Sequence, residues 1–107
     1  MVRVIIERCC RGGKEGEMGN LLIEFRTRAM QRNGYVSGET IKRLDNPCYW
    51  LVISTWVDVD HWNQWQASPE RRQIMKKIEP LLAEPEKITL YGFVRKGGDE
   101  SAHKIHR

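Results

Sequence analysis

The chain has 107 residues, of which 40% are hydrophobic and 30% are charged, and its formal net charge at pH 7 is +4. This length allows one domain with one core, and the composition is that of a globular protein, which excludes an intrinsically disordered chain. The basic residues are mixed with acidic ones and form no patch with aromatic residues, which argues against a nucleic-acid-binding protein and favours solvated helix faces.

The N-terminal residues and the cysteines bear on the cell compartment. The first eight residues, MVRVIIER, contain three consecutive apolar residues, too few for a signal peptide or a membrane span. We therefore predict a cytoplasmic protein without a membrane partner. The three cysteines include the neighbours Cys9 and Cys10, whose side chains point to opposite faces of a strand. Their spacing contains no disulfide framework and no metal motif, so we expect reduced packing thiols, with a reactive or ligand-contacting cysteine as the alternative.

The first part of the chain predicts a strand, a helix and a second strand. Residues 2–10 alternate between apolar and polar side chains, which indicates a strand near the centre of a sheet. In residues 15–33, apolar side chains recur at intervals of three and four, which predicts an amphipathic helix that ends at Asn33 and Gly34. Residues 35–43 are more polar, which is typical of an edge strand.

The stretch 47–85 organises the rest of the chain. It begins with residues 49–57, which are almost all β-branched or aromatic and predict a strand buried on both sides. A turn at residues 44–47 joins this strand to the preceding one as a hairpin. A chain this short can cover only one face of such a sheet with its own helices, so we expect a partner subunit on the other face.

Two helices follow the apolar strand. The first is short, is capped by Asp58 or Asp60, and carries Trp62 and Trp65 on one face because they are three residues apart. The second begins at Ser68-Pro69-Glu70, which combines a serine N-cap, a proline at the first helical position and an acid in the first turn. Pro80 is predicted to bend or end this second helix near Glu79.

The predicted elements add up to a known arrangement. With a last strand at residues 87–95, their order is βαββααβ, the split βαβ pattern of ferredoxin-like α+β domains. Such a domain has a four-stranded antiparallel sheet with helices on one face. We assign it to residues 1–96 and expect a polar, mobile tail at residues 97–107. The bare sheet face predicts a homodimer whose sheets pack face to face.

Several short runs from the second strand to the start of the last helix carry a family resemblance. They are Gly34-Tyr35-Val36, Ser54-Thr55-Trp56, Trp62, Trp65 and Ser68-Pro69-Glu70. With the rest of residues 2–95, they resemble the antibiotic biosynthesis monooxygenase domain of the dimeric α+β barrel group. The resemblance implies a dimeric barrel. It also implies one of several activities, because family members include cofactor-free oxygenases of aromatic polyketide-like substrates, haem-degrading oxygenases, enzymes that process small aldehydes or signal molecules, and proteins with no known chemistry.

The haem-degrading branch fits this sequence poorly. In that branch the site consists of an Asn on the first strand, a Trp on the short helix and a His ten residues after that Trp. Here Trp65 occupies the Trp position, but Met75 follows ten residues later, and the first strand offers Glu7 and Cys9 with no Asn. Met75 lies in an apolar helical stripe, where methionine is far more often a core residue than a haem ligand.

The resemblance therefore favours a small cofactor-independent monooxygenase that uses no metal and acts on an aromatic or quinone-like metabolite. Such chemistry needs an apolar pocket and a group that removes a proton or stabilises an oxyanion. We predict an enclosed cavity between helices and sheet, with walls formed by Trp65, Trp62, Trp56, Cys9 and Met75. The candidate bases are His61, the only histidine before the tail, and Glu7, whose pKa would rise if it were desolvated.

Each of these site residues also has a structural explanation. A histidine in the first turn of a short helix, such as His61, is most often solvent-facing, and Trp62 and Trp65 fit plain core residues better than pocket walls. The alternative function is a non-catalytic dimeric module that binds a small apolar ligand or serves as a structural partner, because a barrel-forming dimer needs the same large residues whether or not it does chemistry.

Overall fold

A computed structural model describes residues 1–95 and 98–99. Its main elements follow the predicted order and are β1 (Val2–Cys9), α1 (Glu15–Ala29), β2 (Tyr35–Lys42), β3 (Tyr49–Trp56), α2 (Val59–Gln66), α3 (Pro69–Ile78), a 3-10 helix (Glu79–Leu81) and β4 (Lys87–Gly92). Two short strands, β5 (Val94–Arg95) and β6 (Gly98–Asp99), pair with each other after β4. No helix in the described part of the chain combines the length and hydropathy needed to cross a membrane.

The main sheet has four antiparallel strands in the order β2-β3-β1-β4. The apolar strand β3 and the N-terminal strand β1 are central, and the more polar β2 is an edge strand, as the sequence predicts. The predicted hairpin between β2 and β3 is also present. With the helices packed on one face, the domain has the ferredoxin-like α+β fold.

The core lies between one face of the sheet and the three helices. From the sheet it receives alternate residues of β1 and β3, which include Val2, Val4, Ile6, Trp50 and Trp56. The helices contribute the apolar stripes that the sequence periodicity predicts, which include Met18, Leu22, Phe25, Trp62, Trp65, Ile74 and Ile78. We call the opposite side of the sheet the outer face. It presents the intervening residues of each strand, such as Ile5, Leu51 and Ile53.

The helix boundaries are set by the predicted caps. Of the two candidate aspartates, Asp58 is the N-cap of α2 and accepts a hydrogen bond from the His61 backbone N–H at 2.9 Å. Ser68 is the N-cap of α3 and accepts one from the Arg71 N–H at 3.1 Å. Helix α3 ends at Ile78, and the chain continues through Pro80 as a single 3-10 turn, which confirms the predicted break.

Several details of the helices and strands differ from the prediction. Helix α1 ends at Ala29, because tighter turns close the segment before Gly34, whose φ is +88°. Strand β2 has a bulge between Tyr35 and Ser37, which turns Tyr35 toward the helices. Strand β4 stops at Gly92 because its partner β1 begins at the paired residue, Val2. Within the segment that was predicted as a mobile tail, residues 98–99 form β6, and the remaining residues lie outside the described part.

Candidate functional site

A small cavity lies between the sheet and the helices. Its volume is about 40 Å³, and Trp56 from β3 and Trp62 and Trp65 from α2 form part of its wall. The rings of Trp56 and Trp62 pack with their centroids 5.9 Å apart, and Phe25 of α1 packs on Trp65 at 5.8 Å. Tyr35 contacts the edge of Trp56 at 5.4 Å. Trp56, Trp62 and Trp65 therefore lie around the same cavity, and their role in binding a substrate stays a prediction.

Two buried arginines lie on the same wall, and the sequence analysis did not single them out. Arg8 is 2% exposed and Arg71 is 5% exposed. Arg8 Nη2 lies 2.8 Å from Glu86 Oε1, and Arg71 Nη2 lies 3.5 Å from Glu86 Oε2. Among the described residues, the Arg71 Nε has no hydrogen-bond acceptor. Glu86 is the one carboxylate that contacts either arginine in this part of the chain, so the pair carries an excess positive charge.

Burial changes the ionisation of both guanidinium groups. Desolvation lowers the pKa of Arg8 to about 10, although the nearby Glu86 carboxylate opposes this shift. Desolvation also lowers the pKa of Arg71, again against Glu86. The Phe25 ring, whose centroid lies 5.2 Å from each guanidinium carbon, provides a cation–π contact to both. Both groups remain cationic at neutral pH, and an anion in the cavity would gain from the excess charge.

The prediction that the basic residues of α3 are solvated is wrong for Arg71. Arg71 precedes Ile74 by three residues and Ile78 by seven, so it belongs to the buried stripe of the helix. Arg8 likewise follows Val4 and Ile6 on the inward face of β1. The sequence therefore did contain a signal for both buried arginines: each is a charged residue at a position where the spacing predicts a buried apolar one.

The predicted site residues of β1 face away from the cavity. Glu7 lies on the outer face, with its carboxylate 3.5 Å from the Tyr49 hydroxyl and 4.0 Å from the Lys87 ammonium group. Cys9 shares that face and is half-buried, with its Sγ 3.9 Å from the carbonyl of Cys10. Neither residue is part of the cavity wall within the described chain, and their predicted roles stay predictions.

His61 lies at the surface near the start of α2. Its Nδ1 is 2.7 Å from Asp58 Oδ1, and its ring packs against Gly34. It borders a separate shallow depression formed with Gln31, Arg32, Asn33 and Gln64. Met75 is buried in the core, where its sulfur lies 3.9 Å from Arg8 Nη2. Of the residues that the structure describes, the cavity wall therefore includes neither the predicted base His61 nor Met75.

An open groove adjoins the cavity. It has a volume of about 570 Å³ and runs between α1 and the edge strand β2, where Gly19, Ile23 and Met30 form part of its floor and rim. The groove and the cavity share Leu22, Arg26 and Thr40. Arg26 Nη2 spans the junction by donating a hydrogen bond of 2.7 Å to the carbonyl oxygen of Gly38.

A third group of polar side chains lies beyond the end of β1. Cys10, Glu15 and Cys48 place one sulfur or oxygen atom each within 4.8 Å of the other two. The Cys48 thiol donates a hydrogen bond of 3.1 Å to Glu15 Oε1, which raises the pKa of Cys48 to about 12. The same hydrogen bond, with one from the Gly13 N–H, lowers the pKa of Glu15.

Known proteins resemble this chain in both sequence and structure. Protein SchA of Streptomyces halstedii is 25% identical over 101 residues, which cover 94% of this chain. The chain spans only 26% of the length of that relative. A conserved protein from Methanosarcina mazei Go1 superposes with a TM-score of 0.79 at 20% identity, covering 84% of this chain and 89% of its own.

Another similar structure is SnoaB, a cofactor-independent oxygenase from Streptomyces nogalater. It has a TM-score of 0.77 and 14% identity, and the match covers 90% of this chain and 96% of SnoaB. At this identity the likeness establishes a shared fold. The sequence model of the family described as antibiotic biosynthesis monooxygenase matches residues 1–77, which is more than half of the chain. The chain therefore belongs to the antibiotic biosynthesis monooxygenase family.

Proposed function

We propose that this protein is a small cofactor-independent monooxygenase that acts on an aromatic or quinone-like metabolite. The observation that carries the proposal is the cavity lined by three tryptophans and by two buried arginines that share one carboxylate. Aromatic walls suit a flat substrate, and an excess buried cation suits an anionic one. Family membership and the fold shared with SnoaB, a cofactor-independent oxygenase, support the reaction class.

The chemistry requires no cofactor if the substrate itself reduces oxygen. A hydroxylated aromatic with an activated methylene group loses a proton to become an electron-rich anion, which O₂ oxidises. The methylene carbon becomes a carbonyl carbon, with one oxygen atom bound to it and the other released in water. Arg8 and Arg71 would stabilise the substrate anion, because a positive charge in a dry site favours the deprotonated form.

The sizes of the two spaces suggest how the reactants are arranged. A cavity of about 40 Å³ holds a molecule as small as dioxygen or water and is far below the typical range of roughly 300–1,000 Å³ for ligand pockets. The adjoining groove of about 570 Å³ lies within that range. We place the aromatic ring in the groove, with its reacting edge extending through the junction to the cavity wall that carries Arg8 and Arg71.

The proton acceptor is a separate question from the anion site. His61 and Glu7 are the two candidate bases, and both lie away from the cavity wall of the single chain. If the arginines lower the pKa of the bound substrate sufficiently, water in the open groove can take the proton instead. We therefore expect loss of either arginine to lower the rate of oxygen uptake more than loss of either candidate base.

Oxygen uptake with a panel of hydroxylated anthrones tests the proposed activity. We expect consumption above the buffer rate for at least one compound. Arg71→Met and Arg8→Met should each lower kcat/KM by about 100-fold, the order of loss seen when one oxyanion-stabilising group is removed. Arg72→Met is the matched control, because Arg72 is the exposed neighbour whose Nη2 bonds the Ala67 carbonyl at 2.8 Å. His61→Ala and Glu7→Gln test the two bases in the same assay.

The small volume of the cavity favours one alternative, a non-catalytic module that binds a small apolar ligand. Binding of the same aromatic compounds, measured by quenching of tryptophan fluorescence, together with no oxygen uptake for any of them, would support the module and reject the oxygenase. Equal oxygen uptake by Arg71→Met and the unaltered protein would reject the anion site.

We further propose that two copies associate through the outer face. Central positions on this face are apolar, with Ile5 paired to Ile53 across β1 and β3 and Ile41 paired to Leu51 across β2 and β3. An apolar sheet face that its own chain leaves bare is what a face-to-face homodimer requires.

We also propose a cytoplasmic location, since the described cysteines are free thiols, which are typical of reducing compartments.

A further inference from the structure

We propose that Cys10, Glu15 and Cys48 form a binding site for a thiophilic divalent cation of the zinc type. These residues come from three parts of the chain: the residue after β1, the first residue of α1 and the residue before β3. Their candidate ligand atoms lie within 4.8 Å of one another, and this site is separate from the proposed oxygenase site. Two sulfur ligands and one carboxylate oxygen leave a fourth tetrahedral position for water.

The distances fit such an ion. Tetrahedral zinc binds sulfur at about 2.3 Å and carboxylate oxygen at about 2.1 Å, which separates ligand atoms by about 3.6–3.8 Å. The distances here extend from 3.1 Å, between Cys48 Sγ and Glu15 Oε1, to no more than 4.8 Å. Small side-chain rotations therefore suffice to bring all three atoms onto one ion.

The backbone holds the three residues in place. The Cys10 N–H donates a hydrogen bond of 2.8 Å to the Cys48 carbonyl oxygen, which fixes the two cysteines side by side at the end of the central strand pair. The Gly13 N–H donates one of 2.8 Å to Glu15 Oε1 and orients the carboxylate. Cys10 is buried, while Glu15 and Cys48 are half-buried, so an ion can enter from the solvent side.

The donor set determines the class of metal. Two thiolates favour zinc and similar soft or borderline ions, whereas Mg²⁺ and Ca²⁺ require oxygen ligands. Binding forms two metal–sulfur bonds, breaks two S–H bonds and releases two protons to solvent, while the ionised Glu15 carboxylate donates an oxygen lone pair. No electron transfer is involved. The bound ion would join the end of β1 to the starts of α1 and β3.

Titration of the reduced protein with Co²⁺, followed by displacement with Zn²⁺, tests the site. We expect a near-ultraviolet thiolate-to-cobalt charge-transfer band that saturates at one Co²⁺ per chain and disappears when Zn²⁺ is added. The readout is specific for sulfur ligands, so imidazole binding by the C-terminal histidines does not mimic it. Saturating Zn²⁺ should also raise the thermal unfolding midpoint by about 10 °C.

Variants of single ligands separate the site from non-specific binding. Cys48→Ser and Glu15→Gln should weaken Co²⁺ binding about 100-fold or more, and Cys48→Ser should also reduce the charge-transfer intensity by about half. Cys9→Ser is the matched control, because Cys9 is adjacent to Cys10 in sequence but outside the cluster, and it should bind as the unaltered protein does. Cys10 is fully buried, so Cys10→Ser is interpreted only if its circular dichroism matches that of the unaltered protein.

Two results would overturn the proposal. One is the absence of a thiolate band at Co²⁺ concentrations well above that of the reduced protein. The other is equal loss of the band in Cys9→Ser and Cys48→Ser. Absence of the band, combined with a disulfide between Cys10 and Cys48 in protein purified without reductant, would instead identify the two thiols as a redox pair.

Discussion

Arg8, on the first strand, lies 2.8 Å from the carboxylate of Glu86, 78 residues later in the chain. The same carboxylate pairs with Arg71 at 3.5 Å. Both guanidinium groups are almost completely buried, so one acidic residue compensates two charges in a medium of low dielectric constant. The stability of the buried pair therefore depends on the Glu86 carboxylate. The uncompensated positive charge would also attract a second anion, which is the role that we propose for the substrate.

Replacing that shared anion should destabilise the protein strongly. In Glu86→Gln, two buried cations lose their carboxylate, and we expect the free energy of unfolding to fall by about 3 kcal/mol. Urea unfolding followed by tryptophan fluorescence measures the change. Glu84→Gln, at an exposed position in the same segment, is the control and should stay within about 0.5 kcal/mol of the unaltered protein. Equal stability of the two variants would show that Glu86 does not compensate the arginines.

Gly34 should tolerate no side chain. Its φ is +88°, and an added Cβ would lie 2.4 Å from Cγ of His61. We therefore expect Gly34→Ala to cost at least about 2 kcal/mol, because the left-handed backbone alone costs roughly 1–2 kcal/mol in a residue with a Cβ. Combining it with His61→Gly, which removes the clashing Cβ as well as the ring, should recover the part due to the clash. Gly12→Ala is the control, because a Cβ there meets nothing within 4 Å, and thermal unfolding distinguishes the three variants.

Ser68 should matter for both stability and activity. Its buried hydroxyl accepts a hydrogen bond from the Arg71 N–H at 3.1 Å and donates one to the Trp65 carbonyl at 2.7 Å. Ser68→Ala removes both, and we expect a loss of about 1–2 kcal/mol in chemical unfolding. Because α3 carries Arg71 into the cavity, KM for an active anthrone should rise as well. The exposed Ser37→Ala should change neither value, and a fully stable Ser68→Ala protein would contradict the capping role.

A charge at the centre of the outer face should separate the proposed dimer. In Ile53→Lys, association would bury an ammonium group without a partner, so we expect sedimentation of a single 12.6 kDa chain at micromolar concentration. Leu44→Lys, in the fully exposed turn between β2 and β3, should leave the dimer intact. A monomer already in the unaltered protein would reject the two-copy arrangement.

Local patterns predicted the elements well. The apolar residues of α2 and α3 recur at the helical period, and Ser68 and Pro69 identify the start of α3. The end of α1 was predicted too late, because the chain must reverse before Gly34 to deliver Tyr35 to β2, and that requirement comes from the sheet. The end of β4 was likewise decided by its partner, since β1 has no residue to pair beyond Val2.

The order of strands and helices, the buried stripes and the family can all be predicted from the amino-acid sequence, because each follows from short-range periodicity or from matching residues. The folded chain was needed to find that Glu86 lies between Arg8 and Arg71, that His61 and Glu7 face away from the tryptophan-lined cavity, and that Cys10, Glu15 and Cys48 converge. These relationships join residues that are far apart in the chain. They depend on strand register and helix packing, which no local pattern of residues encodes.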